Sequence, residues 1–125
     1  MRPAPSIDLG GATVLVIEDE FYLAMDVKEG IEEAGGRVRG PWPDAAAGIR
    51  ELRRGLPDCA VVDINLGEGP SFGIAEELKR RNVPFLFLTG YDAPSIPPGF
   101  ADIERIEKPA GPDRIVEAVA RLAGR

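Results

Sequence analysis

The sequence predicts a doubly wound α/β domain built on a five-stranded parallel sheet, and three observations carry that reading. Short apolar runs alternate with longer amphipathic stretches through the 125 residues. The runs are continuous and rich in β-branched residues, as in strands buried on both faces. The polar residues capable of chemistry follow those runs directly, at the strand-end edge where such sheets bind ligands.

The first run is Thr13-Val14-Leu15-Val16-Ile17. A helix is expected from about Glu20 to Ala34, because Leu23, Val27, Ile31 and Ala34 recur at helical spacing and Gly35-Gly36 ends it. Arg37-Val38-Arg39 reads as a short second strand, and Pro41-Trp42-Pro43 as a loop. Asp44 is a candidate N-cap for a helix to about Arg54, with Ala47, Ile49 and Leu52 facing inward. Gly55-Leu56-Pro57 breaks it. Cys59-Ala60-Val61-Val62 is the third strand and ends on Asp63. A glycine-rich loop, Gly67 to Pro70, leads to Ser71, a candidate N-cap. The helix after it carries Phe72, Ala75 and Leu78 and closes near Asn82. Val83 to Leu88 is the fourth run. Pro94, Pro97, Pro98 and Gly99 follow, so any helix there is short or broken. Ile103 to Ile106 is a weaker fifth strand, and Asp113 to Ala123 a final helix with Ile115, Val119 and Leu122 on one face. Five β-α units in this order imply a parallel sheet with helices on both faces.

Composition narrows the function. With 15 basic and 21 acidic residues the formal charge is −6, which argues against nonspecific binding to nucleic acid or anionic membrane. There is no histidine, which removes histidine-based catalysis and ligation. The lone Cys59 excludes an internal disulfide and cysteine-cluster metal sites. It reads as a small buried hydrophobe in mid-strand. No apolar run approaches membrane-spanning length. Met1 to Gly11 lacks the apolar segment of a signal peptide. It reads as a short tail (residues 1–11) before a domain over 12–125, in a complete cytoplasmic chain. Trp42 reads as a packed loop anchor. Of Phe21 and Tyr22, one is expected to pack and the other to face a partner.

Glu18, Asp19 and Glu20 follow the first strand. Asp63 ends the third, with Asn65 two residues on. Thr89 and Gly90 follow the fourth, and Lys108-Pro109 the fifth. Glu20 is explained by the helix it opens. Glu18, Asp19 and Asp63 put three carboxylates in one cleft, which raises pKa values and costs stability unless a cation intervenes. Oxygen-only donors suit a hard cation, by default Mg²⁺. Asp63 is placed to attack a phosphoryl group as a nucleophile. Lys108 would neutralise charge on that group, the Thr89 hydroxyl would donate to one of its oxygens, and Gly90 leaves room.

The motifs Val14-Leu15-Val16-Ile17-Glu18-Asp19-Glu20, Val61-Val62-Asp63-Ile64-Asn65-Leu66, Leu88-Thr89-Gly90 and Glu107-Lys108-Pro109 resemble those of the receiver domain of bacterial two-component response regulators, over Ala12 to Leu122. The resemblance implies the flavodoxin-like (βα)5 receiver fold with strand order 2-1-3-4-5. It implies Asp63 as phosphoacceptor and Mg²⁺ held by Glu18, Asp19, Asp63 and the backbone carbonyl of Asn65. It implies Thr89 as the switch hydroxyl, Lys108 as the phosphate-pairing lysine, and a Lys108–Pro109 bond that is often cis. Pro84-Phe85-Leu86-Phe87-Leu88-Thr89-Gly90-Tyr91 further resembles the signature of the single-domain FAT GUY receivers, with Leu88 in place of Ala.

Two departures bear on switching. Glu18 stands where Asp is commoner, which lengthens the reach to the metal. Arg105 stands where many receivers carry Tyr or Phe, so Tyr91 is expected to share in switching or to shield the phosphate.

The resemblance implies a phosphoprotein of phosphorelay signalling, not an enzyme beyond its own phosphorylation and dephosphorylation. Its donor would be a sensor histidine kinase, the HWE type included, or a phosphotransfer protein. Output would pass through protein contacts to an unknown downstream protein without an output domain, as a monomer or a phosphorylation-dependent dimer. The alternatives are a degenerate receiver acting as an interaction module, or a Mg²⁺-dependent phosphatase or Toprim-like enzyme. The enzymes need a second acid after Asp63, where this chain has Asn65.

Overall fold

In the computed structural model, residues 7–66, 69–70, 72–90 and 96–125 are described. Five parallel strands form one sheet: β1 (Thr13–Ile17), β2 (Arg37–Trp42), β3 (Cys59–Asp63), β4 (Phe85–Thr89) and β5 (Arg105–Glu107). Their spatial order is β2-β1-β3-β4-β5, the expected 2-1-3-4-5. The helices are α1 (Phe21–Glu33), α2 (Ala45–Arg53), α3 (Phe72–Arg80) and α4 (Pro112–Leu122).

The sheet separates two apolar cores by the alternation of its side chains. Val14, Val16, Val61, Leu86, Leu88 and Ile106 point toward α1 and α4, where they meet Val27, Ile31, Ile115 and Val119. Leu15, Ile17, Ala60, Val62, Phe85 and Phe87 point the other way, toward Leu52 of α2 and Ile74 and Leu78 of α3. Cys59 is buried in the first core. Burial, with the charge of Asp58, pushes its thiol up to about 12, so it stays a neutral hydrophobe.

The fourth β-α unit departs from the regular repeat. Among the described residues a single 3-10 turn, Pro98–Phe100, stands between β4 and β5. Proline supplies no backbone N–H, so Pro97 and Pro98 cannot extend a helical ladder. Phe100 covers the sheet instead, stacked on Phe72 at 5.9 Å between centroids and edge-on to Phe87 at 5.9 Å. Lys79 pins the turn by donating to the Gly99 carbonyl, with its ammonium 5.6 Å from the Phe100 ring centre.

Asp44 caps α2 as expected, its Oδ1 accepting the Ala47 N–H at 2.8 Å. Several boundaries differ from the sequence reading, among them the starts of β4 and β5, which lie two residues later than expected. β2 continues past Arg39 to Trp42, because the Trp42 carbonyl still finds a partner on the β1 side, the Glu18 N–H at 2.9 Å. After β3, Asn65–Leu66 pairs antiparallel with Gly69–Pro70, a small ribbon where a loop was expected. Ser71, the expected cap of α3, lies outside the described residues. At the N-terminus, Leu9 is completely buried and Ile7 packs beside it. The Leu9 N–H donates to the Ala34 carbonyl and the Gly11 N–H to the Gly35 carbonyl, both at 2.7 Å. Among the described residues, Ile7 and Leu9 are thus packed against the body ahead of Ala12. Among the described residues no helix is long and apolar enough to cross a membrane.

A buried leucine cut to alanine costs about 2–5 kcal/mol. Leu9→Ala is expected to fall in that range by denaturant unfolding. A loss below about 0.5 kcal/mol, the ordinary value for a surface position, would return residues 7–11 to the tail.

Candidate functional site

The strand order decides what meets at the carboxyl edge. β1 and β3 are neighbours, with Ile17 opposite Val62. Glu18, one residue past β1, therefore lies beside Asp63, the last residue of β3. Both are buried, at 3% and 1% exposure, while Asp19 is exposed. Lys108 follows β5, and its backbone N–H donates to the Thr89 carbonyl at 2.7 Å. That bond extends the β4–β5 ladder by one step beyond the Thr89–Glu107 pair. The Lys108–Pro109 bond is cis, in line with the resemblance.

From this position Lys108 reaches back across the edge. Its Nζ donates to Asp63 Oδ2 at 3.0 Å and to Glu18 Oε1 at 3.2 Å, and also lies 3.2 Å from Glu18 Oε2. Glu18 Oε1 accepts a second hydrogen bond from the Glu20 N–H at 3.0 Å. Glu18, Asp19 and Asp63 each offer a carboxylate oxygen within 4.8 Å of the others.

Burial and the neighbouring Asp63 charge raise Glu18 from 4.5 to about 7, against the opposing pull of Lys108 and the Glu20 N–H. Burial also disfavours the Lys108 ammonium, but the hydrogen bond to Asp63 and the Glu18 charge outweigh it and hold the lysine above its ordinary value. Among the described residues Lys108 is the cation that pairs with Glu18 and Asp63, and Asp19 adds a third carboxylate to the cluster, so acidic groups outnumber it there. The buried Glu18 Oε2 accepts no hydrogen bond among the described residues. An oxygen-only donor set, in which that buried oxygen has only the Lys108 ammonium at 3.2 Å beside it among the described residues, fits a hard divalent ion.

The other predicted residues take defined places. Thr89 is half-buried at the end of β4. Gly90 follows it, and among the described residues a Cβ there would meet nothing within 4 Å. Asn65 opens the ribbon two residues after Asp63. Arg105 starts β5 and is exposed, while Ile106 beside it enters the core. Tyr91 lies outside the described residues. Phe21 and Tyr22 are both exposed, at 68% and 79%, and meet each other edge-to-face at 5.4 Å. The expectation that one of them packs inward is corrected: α1 buries Ala24, Val27 and Ile31, and its first two residues fall off that stripe. The sequence reading also missed the Trp42 carbonyl that accepts the Glu18 N–H. A Gly-Pro pair ahead of Trp42 was its only outward signal.

No protein-family model matches the chain. It is 29% identical over 112 residues to the sensory transduction protein LytT of Bacillus anthracis, covering 86% of this chain and 46% of that protein. It is 26% identical over 91 residues to the transcriptional regulatory protein PdtaR of Mycobacterium tuberculosis, covering 70% of this chain and 44% of that protein. The chain thus spans less than half the length of these curated relatives. Among solved structures it is similar to SdrG from Sphingomonas melonis Fr1, with 29% identity, a TM-score of 0.72, and coverage of 90% of this chain and 97% of that one. It is also similar to a response regulator receiver protein from Sinorhizobium medicae, with 24% identity, a TM-score of 0.76, and coverage of 94% and 98%. The structural neighbours are response regulator receiver domains with the flavodoxin-like fold, and the curated relatives are response regulators.

The raised Glu18 sets a pH dependence. Between pH 4.5 and about 7 the folded chain holds a proton on Glu18 that the unfolded chain releases. Stability contributed by this group is therefore present at low pH and lost as pH rises through 7, by on the order of 2–3 kcal/mol. Thermal melts in EDTA from pH 5 to 8 are expected to show a falling midpoint. Glu18→Gln should flatten that fall, and MgCl₂ should reduce it in the wild type. An unchanged slope in Glu18→Gln would assign the pH dependence to other groups.

Proposed function

For a chain with the fold and the relatives of response regulator receivers, we propose phosphorylation on Asp63 in two-component signalling. The donor is a phosphohistidine on a sensor histidine kinase or a phosphotransfer protein. The observation that carries this reading is the Lys108 ammonium, 3.0 Å from the buried Asp63 carboxylate at the open edge of the sheet.

A carboxylate oxygen of Asp63 attacks phosphorus and forms an acyl phosphate. The P–N bond to the donor imidazole breaks, the nitrogen keeps the bonding pair, and the ring takes up a proton. Lys108 already touches the attacking carboxylate and moves its charge onto a phosphoryl oxygen. The Thr89 hydroxyl donates to a second oxygen, and Gly90 leaves that approach clear. Glu18, Asp19 and Asp63, with the Asn65 main-chain carbonyl, would hold Mg²⁺. When bound, that ion offsets the negative charge gathering on the phosphoryl oxygens.

The added charge then biases the edge of the sheet. Thr89 carries the change outward, and Tyr91, two residues on in the chain, shares in the switching where Arg105 stands in place of the usual aromatic. Output passes through contacts with a downstream protein in the cytoplasm.

Intact mass after incubation with acetyl phosphate and MgCl₂ tests this. The wild type should gain one phosphoryl group, lose it on standing, and gain none when EDTA replaces Mg²⁺. Asp63→Asn should gain none. If neither acetyl phosphate nor a phosphorylated histidine kinase modifies the wild type, the reading fails.

A further inference from the structure

The site's least explained feature is how Glu18 is held. Its side chain has one more methylene than the commoner Asp, and it sits almost wholly buried against another carboxylate. Such a group stays in place only if its backbone is fixed. The Trp42 carbonyl does this by accepting the Glu18 N–H at 2.9 Å.

That contact depends on an irregularity in β2. Leu15 pairs with Arg39, but Ile17 pairs with Trp42, so β2 carries an extra residue at Gly40–Pro41. Gly40 has φ +112°, and a Cβ there would come within 2.8 Å of both the Trp42 nitrogen and the Val16 carbonyl oxygen. Only glycine fits without moving the strand. The Trp42 side chain anchors the far end of the bulge. It is half-buried and packs against the core under α2 and α3. Its indole N–H is buried without a hydrogen-bond partner among the described residues. The ring therefore acts by volume and not by its polar atom, so another large aromatic should serve.

We propose that Gly40 and Trp42 are positioning residues for cation loading: the bulge they form presents the carbonyl that fixes Glu18 in the acidic cluster. This rests on the reading of that cluster as a Mg²⁺ site.

Calorimetric titration with MgCl₂ tests it, alongside thermal melts in EDTA. Removing a supporting contact of a metal ligand typically costs about 10–100-fold in affinity. Trp42→Ala should weaken Mg²⁺ binding by at least about tenfold on that scale, and Trp42→Phe should restore it. Gly40→Ala, if it folds, should weaken binding as Trp42→Ala does. Val119→Ala, in the opposite core, controls for stability: it should lower the melting midpoint without changing the affinity. If Trp42→Ala binds Mg²⁺ within about twofold of the wild type, or weakens it only as much as Val119→Ala does, the positioning role is overturned and the Mg²⁺ site stands. If the wild type itself binds no Mg²⁺, the Mg²⁺ reading falls and takes this inference with it.

Discussion

The structure turns on burying two carboxylates side by side at the ends of neighbouring strands, with one lysine to offset them. Removing Asp63 and Glu18 from water is costly, and their mutual repulsion adds to it. Lys108 answers both from the far edge of the sheet. It gets there because β5 pairs with β4 in one register, extended by the bond from the Lys108 N–H to the Thr89 carbonyl. A one-step slip of β5 would turn Ile106 out of the core and take the ammonium away from its partners. The three-residue edge strand is therefore tied to the electrostatics of the centre, and the apolar packing of Ile106 is what holds the charge in place.

The two faces of the sheet meet that demand differently. One is closed by paired helices, α1 against α4. The other is closed by α2, α3 and a short turn whose Phe100 stacks on Phe72. Among the described residues of that segment, the flat Phe100 ring covers the sheet. It gains aromatic contacts on three sides, with Phe72, Phe85 and Phe87.

Much of this was legible in the sequence. Continuous apolar runs marked the buried strands, and their alternation with amphipathic stretches gave the parallel order. Asp44 announced its helix because an N-cap is a local interaction. The acids, Thr89 and Lys108 were legible because a parallel sheet gathers strand ends on one side. What escaped depended on pairing between distant segments. Trp42 belongs to β2 only because a bulge lets its carbonyl meet Glu18, and no local preference encodes that. Leu9 looked like part of a polar tail, since one leucine has no periodicity, yet its site is made by Ala34 and the core beside it. Phe21 and Tyr22 misled in the other direction: being large and apolar suggested burial, but their position before the helix's inward stripe leaves them outside.

The shortage of positive charge in the cleft has a consequence for selectivity. A net-negative mouth repels free anions, including inorganic phosphate and sulfate, whatever their fit to the space beside Thr89. Only an anion that arrives when the local charge has been reversed is admitted. On the proposed reading the cleft is a two-input gate: a small cation and a phosphoryl donor must coincide before it responds, and ambient anions alone leave it silent.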